Sequence, residues 1–100
     1  MAEMKVSAEA LLILVSLAEG PKHGYAILQD IENVSGRRLG PGSLYGAIAR
    51  LESTTYIESL ASEGPRRPYR LTAAGSRALA TELEALKKVA ATGIRRLATR

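Results

Sequence analysis

The chain has 100 residues, 46% of them hydrophobic and 24% charged, with fourteen Lys and Arg against ten Asp and Glu for a formal net charge of +4. That composition excludes a disordered chain and, at this length, allows one core that removes roughly two thirds of the unfolded surface from water. With no cysteine it also excludes disulfides and thiolate chemistry, while the positive balance favours a polyanionic partner, either nucleic acid or an anionic membrane.

Ser7 has the side chain of an N-cap for a first helix over Ala8 to Glu19, with Glu9 in its first turn and Gly20-Pro21 closing it. Leu11, Leu12, Ile13, Leu14, Val15 and Leu17 make this helix apolar around nearly its whole circumference, more than one buried side requires. Two partners are expected to cover it: the protein's own core and a second subunit, with Leu11 and Leu14 on the subunit side. Lys5 ahead of the run from Ala10 to Ala18, with Ser16-Leu17-Ala18 behind, has the outline of a signal peptide. Glu3 and Glu9 are acidic where such a segment needs positive charge, and the run is shorter than the ~20 apolar residues of a membrane span. A cytoplasmic protein with no membrane partner is expected.

Pro21-Lys22-His23-Gly24 reads as a connection, after which Ile27, Leu28, Ile31 and Val34 recur at helical spacing and predict a second helix over about Tyr25 to Val34. A basic, glycine-rich loop, Ser35-Gly36-Arg37-Arg38-Leu39-Gly40, follows. Leu44, Ala47, Ile48 and Leu51 then define the apolar face of a third helix that ends near Thr54; either Pro41 at N1 or Ser43 as N-cap could start it. Tyr56 to Leu60 and Tyr69 to Leu71 alternate as strands around the turn residues Ser62-Glu63-Gly64-Pro65, so a β-hairpin is expected, with Pro68 at an edge or at a strand's first residue.

Thr72 caps a last helix. Within it Leu79, Leu83, Leu86, Ala90, Gly93 and Leu97 step by four and three, a heptad-like seam on a helix that would reach ~40 Å. So small a protein cannot cover that length, and Leu83, Leu86, Ala90 and Leu97 are expected at a subunit interface. The fold class that emerges is mainly α with a small β-hairpin: a winged helix-turn-helix over residues 1–72 and a C-terminal dimerisation helix over 73–100, packed as one unit.

In such a fold the helix after the turn enters the major groove. Away from its apolar stripe the third helix carries Gly42, Ser43, Tyr45, Gly46, Ala49, Arg50 and Ser53. The small residues let its backbone approach the groove wall, and Gly46 would otherwise cost about 1 kcal/mol relative to alanine. Ser43 and Tyr45 carry hydroxyl donors, and Arg50 suits a phosphate or a guanine. Arg66, Arg67 and Arg70 cluster in the wing, where they could reach backbone or minor groove, and Lys22, Arg37 and Arg38 add positive charge near the turn. Tyr25 and Tyr45 alternatively pack between the second and third helices, and His23 reads as structural. One histidine, one aspartate and no cysteine leave few residues for nucleophile–base pairs or metal ligation, so no enzyme, metal or cofactor is expected.

Gly20-Pro21-Lys22-His23-Gly24-Tyr25, Pro41-Gly42-Ser43-Leu44-Tyr45-Gly46-Ala47, Arg50-Leu51-Glu52 and Tyr69-Arg70-Leu71-Thr72 together resemble the signature of the PadR family of transcriptional regulators, over roughly residues 8 to 90. The resemblance implies a dimeric winged-helix repressor on double-stranded DNA, joined through its first and last helices and released by a small-molecule effector. With no Trp or Phe and four Tyr, the chain offers little for an aromatic effector pocket. Thr55 stands where relatives commonly have a glycine, which bears on the turn into the first wing strand. Two other readings use the same features: a winged-helix protein-interaction module and a nonspecific architectural DNA binder.

Overall fold

Seven elements follow one another in the computed structural model, which describes residues 6–61 and 66–100: α1 (Ala8–Leu17), β1 (Lys22–His23), α2 (Gly24–Ser35), α3 (Pro41–Ser53), β2 (Ile57–Ser59), β3 (Pro68–Leu71) and α4 (Ala73–Thr99). The residues read as the wing turn, Ser62-Glu63-Gly64-Pro65, and Glu3 and Lys5 at the start lie outside the described residues.

Capping side chains start the first and last helices. Ser7 accepts the Ala10 amide at 3.1 Å and Thr72 accepts the Gly75 amide at 3.0 Å, each satisfying one of the orphan donors of a helix N-terminus. α3 resolves its ambiguous start in favour of Gly40 as N-cap and Pro41 in the first turn, where a missing N–H costs nothing. α1 ends two residues earlier than expected, because the Ala18 amide turns back to Val15 at 3.2 Å and the Gly20 amide to Leu17 at 3.1 Å. α2 stops at Gly36, a C-cap with φ of 76°, whose amide bonds to Glu32 at 2.8 Å.

The end of α3 makes the same kind of stop with a less suitable residue. The Tyr56 amide reaches back to Leu51 and the Thr55 amide to Glu52, each at 3.0 Å, which is the paired bonding of a Schellman motif. Its left-handed position is Thr55, at φ 64°, where a β-branched side chain is strained. The Thr55 carbonyl accepts the Thr72 hydroxyl at 2.6 Å, tying the end of α3 to the start of α4. Gly75, in the first turn of α4, permits this approach: a Cβ there would stand 2.9 Å from the carbonyl carbon of Tyr56 and nearer still to its oxygen.

One core holds the helices and sheet together. Ile13, Leu14 and Leu17 of α1, Ile27 and Ile31 of α2, Leu44, Ala47, Ile48 and Leu51 of α3, Ile57 of β2, Tyr69 of β3 and Leu79 of α4 are all buried in it. Periodicity thus placed the α3 face correctly, but Val34 is 60% exposed, since α2 runs a turn past the core that holds Ile31. Leu14, expected at a subunit interface, is fully enclosed within its own chain and has no surface left for a partner; Leu11, Leu12 and Val15 are apolar α1 side chains left partly uncovered.

The sheet has three strands rather than the expected two, in the order β1-β3-β2. β2 and β3 form the wing, with Glu58 opposite Arg70 and Ser59 opposite Tyr69, while Lys22 and His23 pair with Tyr69 and Pro68 on the other side of β3. Two residues cannot show an alternating pattern, so β1 exists only through its partner strand. Pro68 is the first residue of β3, as its missing donor requires.

Beyond Leu79 α4 leaves the core. Leu83 and Leu86 are 43% and 41% exposed, and Val89, Ile94 and Leu97 are 66–69% exposed. No helix among the described residues is long and apolar enough to cross a membrane.

Candidate nucleic-acid interface

α3 presents Gly42, Ser43, Tyr45, Ala49 and Arg50 to solvent, with Gly46 partly covered beside them. The glycines of the protein differ in what surrounds them. A Cβ added at Gly42 would meet nothing within 4 Å, and one at Gly46 only the Arg50 guanidinium at 3.8 Å. Neither position needs glycine for packing within the chain, so the helix carries about 1 kcal/mol of avoidable cost at Gly46 for no internal reason. Such a face suits the close approach of an external surface.

The cationic residues divide by what already holds them. Lys22 has a side chain only 14% exposed, lies 2.7 Å from Glu19 and 3.9 Å from Asp30, and donates to the Ser16 carbonyl near the end of α1. It is a strap between α1, β1 and α2, and moving it to a phosphate would give up the partly buried Ser16 carbonyl and two carboxylate partners at once. Arg37 pairs with Glu9 and Arg38 with Glu32, each at 3.2 Å, and Arg70 pairs with Glu58 across the wing through Nε at 2.9 Å. These pairs are exposed, and exposed pairs are worth about 0–1 kcal/mol, so their guanidinium groups can be exchanged onto a phosphate at little cost. Glu9 is held below the ordinary carboxylate range first by hydrogen bonding to its own amide in the first turn of α1 and then by Arg37.

Arg66 and Arg67 sit on the approach to β3, beside the first turn of α2 and the middle of α3. There Gly24, Tyr25, Tyr45, Arg66, Arg67 and Tyr69 surround a cleft of about 260 Å³. Tyr45, half exposed, is not extended along the row of Gly42 and Gly46; its ring end lies against the first residue of α2. A Cβ on Gly24 would stand 2.8 Å from Tyr45 Cζ and closer still to the hydroxyl, so glycine is what allows this seat. Burial pushes the Tyr69 phenol up from its ordinary value, with Glu52 and Tyr45 acting in the same direction, and it remains a neutral donor.

Tyr25, which the sequence offered only as packing between the second and third helices, is left largely uncovered. It is 64% exposed at the mouth of the cleft, its hydroxyl accepting from Gln29 Nε2 at 3.1 Å. Its position off the stripe of Ile27, Leu28 and Ile31 was the available signal. His23 lines the same cleft and keeps a buried Nδ1 without a hydrogen-bond partner among the described residues. Among those residues no group of three or more His, Asp or Glu side chains gathers as for a metal ion.

Residues 13–81 match the Transcriptional regulator PadR-like family. The chain is 48% identical over 86 residues to an uncharacterized 37.1 kDa protein in transposon TN4556 of Streptomyces fradiae, an overlap that covers 86% of this chain and 25% of the relative. It therefore spans about a quarter of that protein's length. It is 34% identical over 93 residues to the transcriptional regulator Rv3488 of Mycobacterium tuberculosis, covering 90% of this chain and 86% of that one. Among solved structures, a PadR family transcription regulator from Clostridium difficile superposes with a TM-score of 0.82 at 25% identity, covering 91% of this chain and 99% of that one.

Proposed function

The chain belongs to the transcriptional regulator PadR-like family, and from that membership we propose that this DNA-binding regulator is a cytoplasmic repressor that grips an inverted-repeat operator as a homodimer. The observation that carries the reading is the outward face of α3, where Ser43 and Arg50 are exposed, Gly42 and Gly46 have no internal packing that requires glycine, and Tyr45 shares a cleft with Arg66 and Arg67 of the wing. In this reading α3 lies in the major groove, Ser43 and Arg50 contact base edges or phosphates, and Arg66, Arg67 and the exchangeable Arg37, Arg38 and Arg70 neutralise the flanking backbone. Lys22 supports this head from inside rather than touching DNA.

The uncovered stripe of α4 supports the dimer. Leu83, Leu86, Ala90 and Leu97 recur at seam spacing on a helix that its own protomer leaves bare after Leu79, and Leu11 of α1 adds a partly covered apolar contact. A two-fold dimer presents two copies of α3, so the operator consists of two half-sites about one DNA turn, ~34 Å, apart. Repression follows from occupying a promoter that polymerase needs.

Selection of binding sites from random duplexes at near-physiological salt tests the reading. A palindrome bound at least ~10³-fold more tightly than a scrambled control is the expected result. Binding of both duplexes alike, vanishing together as salt rises, would leave only the nonspecific electrostatic contribution and overturn the operator.

A further inference from the structure

The cleft at the junction of α2, α3 and the wing is lined by two arginines, three tyrosines and a histidine, and no carboxylate is among its described lining residues. Every charged group there is cationic and the tyrosine hydroxyls can donate, so its chemistry suits an anion. We propose that this cleft seats a backbone phosphodiester of bound DNA, with the Tyr45 hydroxyl as a fixed donor to the phosphate that Arg66 and Arg67 neutralise, and with Gly24 as the positioning residue that holds Tyr45 there. The proposal rests on the DNA-binding reading above and refines it.

Position on α3 alone would make Tyr45 a reader of bases, since it shares the outward face with Ser43. The contact with Gly24 separates their tasks. Because the ring end of Tyr45 is lodged against the first residue of α2, its hydroxyl opens on the wing side, among the arginines, rather than beyond Gly42 and Gly46. Tyr45 then sets how deeply and at what angle α3 enters the groove, and base discrimination falls to Ser43 and Arg50. A backbone contact of this kind fixes register and orientation without carrying sequence information.

Gly24 acts through space. Any side chain at this position would occupy the place of the Tyr45 hydroxyl, forcing the ring out toward the groove. The glycine opening α2 is thus explained by a residue of α3, about twenty positions away, and not by the helix it belongs to.

The test compares Tyr45→Phe, Gly24→Ala and Ser43→Ala by affinity for the selected palindrome and for a scrambled duplex, each also prepared with single neutral methylphosphonate linkages. Tyr45→Phe keeps the ring and removes only the donor. It is expected to weaken both duplexes by the same factor, about tenfold or more for a hydrogen bond to a charged group. One methylphosphonate position should weaken the wild-type protein while costing the Tyr45→Phe variant much less. Gly24→Ala should weaken binding similarly, and adding Tyr45→Phe to it should cost little more, the non-additivity expected when one residue acts through the other. Ser43→Ala should reduce the preference for the palindrome.

A Tyr45→Phe variant that keeps full affinity for the scrambled duplex but changes the preferred base at one position would make Tyr45 a base reader and overturn the proposal. Additive effects of Gly24→Ala and Tyr45→Phe, in proteins shown to melt cooperatively, would overturn the positioning role. Wild-type protein that binds every duplex equally would sink the operator reading alone, since the phosphate coupling is still measurable on any sequence; failure to bind any duplex at low salt would sink both.

Discussion

The head of the molecule, from α1 to the first two turns of α4, and the remainder of α4 use the same apolar side chains to opposite ends. In the head, Ile13, Leu14, Ile27 and Leu44 are wholly enclosed within the single chain. Past Leu79 the leucines recur just as regularly, yet Leu83, Leu86 and Leu97 remain 41–66% exposed. Hydrophobic periodicity therefore says that a face will be buried without saying by what. The answer depends on whether another element of the chain lies within reach, and past Leu79 none does among the described residues.

Substitution in the two regions should separate them sharply. Ile13→Ala, which opens a cavity in the head, is expected to destabilise the fold by about 2–5 kcal/mol at any protein concentration, measured by denaturant titration. Leu83→Glu with Leu86→Glu should leave the folded head intact while yielding monomers by analytical ultracentrifugation. Its melting temperature should lose all dependence on protein concentration, and DNA affinity should fall by about 10²-fold or more as two linked half-sites become independent. If these variants still sediment as dimers, the seam is not the interface and the contrast between the regions fails.

Two smaller effects belong to the head alone. Thr55→Gly should stabilise it by about 0.5–1 kcal/mol in the same titration: the left-handed conformation costs a non-glycine residue ~1–2 kcal/mol, partly offset by the greater freedom of glycine in the unfolded chain. The remaining effect is on alkaline stability. Tyr69 has its pKa raised by burial above the ordinary 10.0, so the folded state keeps a proton that the unfolded state loses. That stabilisation is complete below pH 10 and declines as pH rises through the folded value. Unfolding followed against pH should show this limb in the wild type and a weaker one in Tyr69→Phe. Since all four tyrosines precede α4, the limb reports on the head and not on the stalk.

Sequence made visible what depends on one element at a time. The caps at Ser7 and Thr72, the buried face of α3 and the extended seam of α4 are each written within a single helix. What stayed hidden depends on two elements meeting. β1 is defined by its pairing with Pro68 and Tyr69. The internal partners of Lys22 were hidden because Ser16, Glu19 and Asp30 come together around it only when α1 and α2 fold against one another. Leu14 looked available to a partner because a helix apolar on all sides does not declare which side its own core takes. The site shows the same division: the exposed row of α3 was legible as a row, whereas the seat of Tyr45 required knowing that Gly24 lies beneath it.

The order of these parts along the chain also bears on how the protein is made. Leu79 is the last residue of the core, and the bare apolar stripe begins only after it. A ribosome therefore releases every residue the head needs before the stripe emerges, and the head can close while the nascent chain has little sticky surface to offer its neighbours. Vectorial synthesis thus brings the leucines of α4 out last, and because the closed head does not cover them they stay exposed until something outside the head does.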